Sequence, residues 1–568
     1  MVNEATAPTM ASLLKRGVNF SNTHSLFPTF TTPNASAMAT GHMLGDTGDF
    51  SNTIYSGFQV PGAGDSLTPF LESDPVLGDV DEHFSGDYLN EETILMAARM
   101  KGISTATIGK LGPALIFDHT ERTGQQTVVV DDMTGRDGAI PLSDALQQAL
   151  ASAKLPIQTP TRGPNGQAGT NLTPGTLAAN VVQQAYFTDV TTKAVLPMFK
   201  AKGRPFVLVF WSRDPDGTQH NQGDSLGRTV PGINGPTSLA SIRNADDNLA
   251  SILAALKELG LEASTNIILA SDHGFSTISK ESGTSWAASR SYKDVSPNLL
   301  PPGFLAIDLA HATGLKLFDP DAKSTEIEDG AHPSRANGLI GNDPQHPDIV
   351  VAANGGSDLV YLPTGDKALA AKLVNVLSAQ DYVSGLFVDD SLGAPDGTLP
   401  LSAIALKGTA LTPMPAIAVN FRSYATGCHD VTTCGVELAD TGLQQGQGMH
   451  GSFSRADTRN IMGAVGPDFR EHYVDDLPAS NADIGKTIVS LMKLRPLSRG
   501  KLIGRVLTEA TRQGGKPPAV KHITIRSKPD AAGHVTVVLS QRIGDTRYFD
   551  AAGYPGRTLG LPNEKNGN

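Results

Sequence analysis

The sequence predicts an α/β protein, and three observations predict it. Two short apolar runs, Pro205-Phe206-Val207-Leu208-Val209-Phe210-Trp211 and Asn266-Ile267-Ile268-Leu269-Ala270, have the length and composition of strands buried on both faces. Between them Leu239, Ile242, Leu249, Ile252, Leu253 and Leu256 recur with helical period until Gly260, which makes the segment one βαβ unit. Its right-handed crossover is expected to set two parallel strands in one sheet with their carboxyl ends on the same edge. Both runs end in carboxylates and imidazoles. Asp214, Asp216 and His220 follow the first, Asp272 and His273 the second, in the crevice where open α/β sheets hold ligands. Gly274 is expected to let the backbone turn sharply behind the second pair.

A chain of 568 residues, 39% hydrophobic and 18% charged, can bury a full core and more than one structural unit. Its 59 glycines and 37 prolines fit a scaffold with long ordered loops, and loops of that kind carry function. The net charge of -12, with no cluster of Lys and Arg, excludes a nucleic acid polymer as partner. No apolar run approaches the roughly 18 residues of a membrane span. The start Met1-Val2-Asn3-Glu4 has neither the basic nor the apolar region of a signal peptide, so the chain as written reads as cytoplasmic.

In chain order, residues 8–17 read as a short helix, with Pro8 in the first turn and Gly17 past the end. An α/β chain normally places a strand before such a helix, and here there is no room for one. Residues 27–41 are interrupted by Pro28 and Pro33 and then run through small residues to Gly41, as in a loop feeding a closely packed helix. A hydroxyl held there is a candidate nucleophile; the competing reading is that Thr31, Thr32 and Ser36 cap the helix. Helices are expected over 91–101 and 142–154, strands over 103–108 and 127–130, and a Pro/Gly-rich loop over 159–175. Lys110, in Gly109-Lys110-Leu111-Gly112-Pro113, reads as a solvated loop lysine, with contact to substrate as the alternative. From 283 to about 424 the pattern loosens, with strands at 348–352, 359–362, 382–388 and 416–421 and a helix over 367–377. The main pattern resumes at Gly446-Gln447-Gly448-Met449-His450-Gly451, where a histidine sits in a glycine-rich loop, and a helix over 483–494 follows. Residues 523–526 and 535–539 read as a terminal β-hairpin.

The only cysteines, Cys428 and Cys434, lie in one short loop. A disulfide is the first reading and implies an oxidising compartment, at odds with the missing signal peptide. A zinc clip using Cys428, His429 and Cys434 is the alternative, and it lacks a fourth ligand.

Taken together, three loops offer Asp216 and His220, Asp272 and His273, and His450 above one sheet edge. Nitrogen and carboxylate ligands without thiolates suit zinc, and five are too many for a single catalytic ion that keeps an open position. They suit two ions, spaced to serve phosphoryl transfer.

On these residues the chain resembles the nucleotide pyrophosphatase/phosphodiesterase (type I phosphodiesterase) branch of the alkaline phosphatase superfamily. The nucleophile motif is matched by Thr31-Thr32-Pro33-Asn34 with Thr40-Gly41, and its spacing puts the oxyanion-binding asparagine at Asn52. One metal's Asp-x-x-x-His motif falls on Asp216 and His220, completed by His450; the other metal's pair falls on Asp272 and His273. The resemblance implies a three-layer αβα sandwich of alkaline-phosphatase type. The looser pattern over 283–424 reads as an inserted cap and the tail as a C-terminal β-hairpin extension, which divides the chain into a core in two parts (1–282 and 425–515), the cap (283–424) and the extension (516–568).

Two departures stand out. The family's first strand ends in an aspartate that is a further ligand of the second metal, and it would lie just before Met1. With a start further upstream, the protein is expected to be periplasmic or secreted. The residue after the nucleophile, often an aromatic that stacks on a base, is here Thr32, which puts nucleotide specificity in doubt. The sulfatase branch, with its cysteine-derived nucleophile, is disfavoured because both cysteines lie far from Thr31. The resemblance therefore implies a two-zinc hydrolase of small phosphate esters with Thr31 as nucleophile. The alternatives are a phosphonate or phosphomonoester hydrolase, and a non-catalytic binding protein with an incomplete metal site.

Overall fold

A short helix, α1 (Pro8–Arg16), opens the chain with proline in its first turn and Gly17 at its end, as the sequence predicts. The computed structural model describes residues 2–170 and 173–562, so two residues of the loop expected over 159–175 lie outside the described residues. After α1 comes a strand that the sequence reading passed over, β1 (Val18–His24). Asn19, Ser21, Asn22 and Thr23 deprive it of an apolar run, yet it lies inside a sheet, parallel to Tyr473–Ser480 on one side and antiparallel to Met462–Val465 on the other. Helix α2 (Thr31–Thr40) follows, buried over its whole length and closed by Gly41 in the left-handed region. Its small residues permit that burial, since Gly485 of the helix Asn481–Leu491 leaves room for the α2 backbone.

Strands β2 (Ser104–Gly109), β3 (Thr127–Asp131) and β4 (Phe206–Trp211) form a parallel sheet in the order β3-β2-β4. From β4 the chain runs through the 23-residue helix Pro236–Glu258 into β5 (Ile267–Ala270). Here the structure corrects the expectation. β4 and β5 are half-buried throughout rather than buried on both faces, and they do not pair with each other. β5 is the edge of a second sheet, next to Met462–Val465, and β4 is the edge of its own. Their side chains still share two layers. Phe206, Leu208 and Ile267 pack with Leu196, Ala255 and Leu256, while Val207, Val209, Trp211, Ile268 and Ala270 face the main core. Apolar pattern thus set the layer of each strand, whereas main-chain pairing depends on a separation and register that the pattern does not encode.

A second large core is built around an eight-stranded sheet of residues 316–421, whose members include Ile349–Ala352, Ser357–Tyr361, Val383–Val388 and Ile417–Phe421. The helix Lys367–Ser378 covers it as read from the sequence. The buried helix Phe304–Thr313 was not read there, because it is apolar on nearly every side and carries no amphipathic period. A small sheet joins Ser276–Ser279, just beyond the Asp272-His273 loop, to Gly448–Met449, just before His450. The terminal hairpin is present as Lys521–Arg526 and Val537–Ile543, and it gains a third strand, Thr546–Gly553, across a two-residue Gly544-Asp545 turn. Cys428 and Cys434 form a disulfide, which sets aside the zinc clip. Among the described residues no helix is long and apolar enough to cross a membrane.

Candidate active site

α2 begins at Thr31, and no side chain caps it: the residue at the cap position is Phe30. The three hydroxyls that might have capped it are used otherwise. Ser36 donates to Pro33 O at 2.7 Å, and Thr32 donates to Asp49 Oδ1 at 2.9 Å, inside the core. Thr31 Oγ1 alone faces the crevice, 3.4 Å from Lys110 Nζ and 3.4 Å from His273 Nε2. Its place in the first turn of a ten-residue helix sets it among main-chain N–H groups that favour negative charge. Asn52 braces this turn by accepting from Thr32 N at 2.8 Å, with its amide Nδ2 toward Glu72 Oε1 at 3.3 Å. Asn34 accepts from Leu26 N and donates to Phe30 O, which closes the loop before the helix.

Beyond β4 the chain turns into the short helix Asp216–Asn221, and the i,i+4 spacing sets Asp216 and His220 on one face. His450 arrives from the strand Gly448–Met449. Ligand atoms of Asp216, His220 and His450 lie within 4.8 Å of one another. His220 Nδ1 is 2.9 Å from Gly448 O and His450 Nδ1 is 2.8 Å from Thr29 O. A carbonyl only accepts, so each Nδ1 carries a hydrogen and each Nε2 is turned inward. Those nitrogens stand 3.1 and 3.5 Å from Asp216 Oδ1, a buried oxygen that no donor satisfies. A buried carboxylate oxygen without a donor and two imidazole nitrogens turned toward it fit a cation.

His273 likewise has its Nδ1 on Gly274 O at 2.9 Å, and its ring stacks on that of His450 at 3.6 Å. Asp272 Oδ2 lies 3.2 Å from His273 Nε2. These two are the ligands that the described chain brings to a second position, beside Thr31. Gly274 is required for a reason other than the one expected. Its φ is not positive; a Cβ there would run into the carbonyl of Ala456. Behind both loops lies Asp457, which sequence reasoning missed. Its carboxylate accepts from Ser452 N (2.9 Å), Ser452 Oγ (2.9 Å) and Ser276 Oγ (2.7 Å), and its main-chain oxygen accepts from Gly274 N (2.7 Å).

Lys110 also departs from expectation. It is buried, not solvated, because Glu72 Oε1 at 2.9 Å and Asp216 Oδ2 at 3.0 Å compensate its charge. Burial opposes ionisation of Asp216, but Lys110 and the neighbouring imidazoles outweigh it and hold the carboxyl well below its usual range. Burial, reinforced by the charge of the adjacent His273, pushes His450 down to about 3, whereas at His273 burial is outweighed by Asp272, which raises that ring. Anionic carboxylate and neutral imidazole are the forms that bind metal.

A second buried trio, His42, Asp46 and Glu91, does not share this character. Its carboxylates accept from the main chain of Leu502, Arg499 and Gly500, and His42 is spanned by Asp46 and Ser498, which makes it a clip on residues 498–502.

The profile of the family described as type I phosphodiesterase / nucleotide pyrophosphatase matches residues 1–366. Among solved structures the chain is similar to human ectonucleotide pyrophosphatase/phosphodiesterase 5, at 15% identity and a TM-score of 0.46, over 89% of this chain and 94% of that one. Comparison with curated proteins gave no match.

Proposed function

Because the chain belongs to the type I phosphodiesterase / nucleotide pyrophosphatase family, a branch of the alkaline phosphatase superfamily whose members hydrolyse phosphoric esters, we propose that Thr31 is the nucleophile of a two-zinc site acting on small phosphate esters. One observation carries this reading: Thr31 Oγ1, at the head of a buried helix, stands 3.4 Å from His273 Nε2 in the crevice that also gathers Asp216, His220 and His450.

Asp216, His220 and His450 would hold one ion, and Asp272 with His273 a second; nitrogen and carboxylate donors without thiolate suit zinc. Bound there, such ions supply Lewis acidity toward phosphoryl oxygens and lower the proton affinity of hydroxyl groups. The residues do the rest. Thr31 Oγ attacks phosphorus in line, while the N-terminal turn of α2 and Asn52 face the charge that develops on the phosphoryl oxygens. For that contact Asn52 Nδ2 must turn from Glu72, its 3.3 Å partner, toward the substrate.

Small phosphate or phosphonate esters suit this site better than nucleotides. The residue after the nucleophile offers no ring on which a base could stack, and the Thr32 hydroxyl is bound to Asp49. Replacing Thr31 with Ala is expected to abolish ester hydrolysis while two zinc ions per chain remain bound. Undiminished hydrolysis by Thr31→Ala would overturn the nucleophile assignment.

A further inference from the structure

The ammonium of Lys110 touches both the candidate nucleophile and a candidate metal ligand. Its main chain is fixed where β2 meets β4: Lys110 N donates to Trp211 O at 2.9 Å, and at Gly109, with φ +135°, a Cβ would run into that same carbonyl. Its side chain is buried, and its three hydrogens have three partners: Glu72 Oε1 at 2.9 Å, Asp216 Oδ2 at 3.0 Å and Thr31 Oγ1 at 3.4 Å. Asp216 divides its two oxygens accordingly. Oδ1 faces the imidazoles and Oδ2 faces Lys110.

Glu72 is the common acceptor of the corner. The same Oε1 that binds Lys110 receives Asn52 Nδ2. One carboxylate thus holds both donors, and together with Asp216 it compensates the buried ammonium.

Building on the proposed nucleophile, we propose that Lys110 is a catalytic residue that donates a hydrogen bond to Thr31 Oγ during attack, with Glu72 as its positioning residue. In the step, the bond from Oγ to phosphorus forms as the phosphorus–oxygen bond to the leaving alcohol breaks, with its electron pair passing to the leaving oxygen. The hydroxyl proton of Thr31 is lost to bulk water. Lys110 keeps its own protons throughout. Its contact to Oγ is long in the resting state and shortens when Oγ carries negative charge, which is the differential binding that lowers a barrier.

The alternative role for Lys110 is purely structural: to hold Asp216 for its metal. The two roles separate in the zinc-loaded enzyme. In Lys110→Met the expected result is a fall in kcat of about 10²-fold, the usual cost of one preorganised donor, with KM within a few-fold and zinc content and zinc affinity unchanged. Lys110→Arg should recover part of kcat, and Glu72→Gln should lose kcat in a way not additive with Lys110→Met. Circular dichroism confirms that each variant is folded; should Lys110→Met fail to fold, Lys110→Arg and Glu72→Gln carry the test. A kcat equal to that of the parent, or a deficit that excess zinc abolishes, would overturn the proposal. Hydrolysis surviving Thr31→Ala is a separate result, and it would strike the nucleophile assignment on which this role depends.

Discussion

Asp457 offers the sharpest test of how the site is held. It touches none of the candidate ligands, yet its carboxylate binds Ser452, two residues beyond His450, and Ser276, three beyond His273. Asp457→Ala removes three hydrogen bonds and leaves the main-chain bond to Gly274 in place. At a net worth of about 1 kcal/mol each, the loss is about 3 kcal/mol. If all of it falls on the ordering of the two loops, zinc affinity drops by about 10²-fold, since 1.4 kcal/mol is a factor of ten. The range of about 10- to 100-fold found for residues that orient metal ligands brackets that figure. Zinc dissociation constants from chelator competition would measure it, with Ser276→Ala and Ser452→Ala expected to give about 5-fold each. Glu437 provides the control. It is buried beside Asp457, and burial with that neighbour's charge pushes its carboxyl well above the usual range, so Glu437→Gln preserves the neutral form and should leave zinc affinity unchanged. Zinc affinity within twofold of the parent in Asp457→Ala would refute the view that this carboxylate sets both loops.

Three further outcomes are expected. Burial pushes Asp49 up to about 7 despite its hydrogen bonds from Thr32 and Tyr88, against an unfolded value of about 3.9; the stability linked to it is therefore complete below about pH 4 and lost as pH rises through 7. Asp49→Asn should flatten the decline in thermal midpoint between pH 4 and 7, and an unchanged slope would place the titration elsewhere. Gly451, at φ +116°, has no room for a Cβ against the ring of Phe30, so Gly451→Ala should shift His450 and lower zinc affinity, read by the same competition assay. Replacing Cys428 and Cys434 by Ser opens a loop closed over a separation of six residues, worth about 2 kcal/mol by chain entropy; urea midpoints should fall while kcat is kept, because neither cysteine is a candidate site residue.

Much of this was legible in the sequence, and the remainder was hidden for physical reasons. Asp216 and His220 could be read because i,i+4 spacing on a short helix is local, and Asp272 and His273 because they stand at the end of an apolar run. β1 escaped because its burial comes from neighbours at 462–465 and 473–480, not from apolar residues of its own. Lys110 looked solvated because its counter-charges are remote in sequence; Asp216 lies 106 residues away. The third strand of the terminal sheet could have been found, since Gly544-Asp545 is a hairpin signal. Nothing local marks Asp457, whose importance comes from joining two loops that meet only in the folded chain.

The unpaired edges of β4 and β5 bear on how the molecule moves. Among the described residues no strand bonds to the outer edge of either. Hydrogen–deuterium exchange should then reverse its customary gradient, with early labelling at the strands that lead to Asp216 and Asp272 and slow labelling in β1, which is paired on both sides. Breathing of these two strands would reach the candidate ligand loops directly.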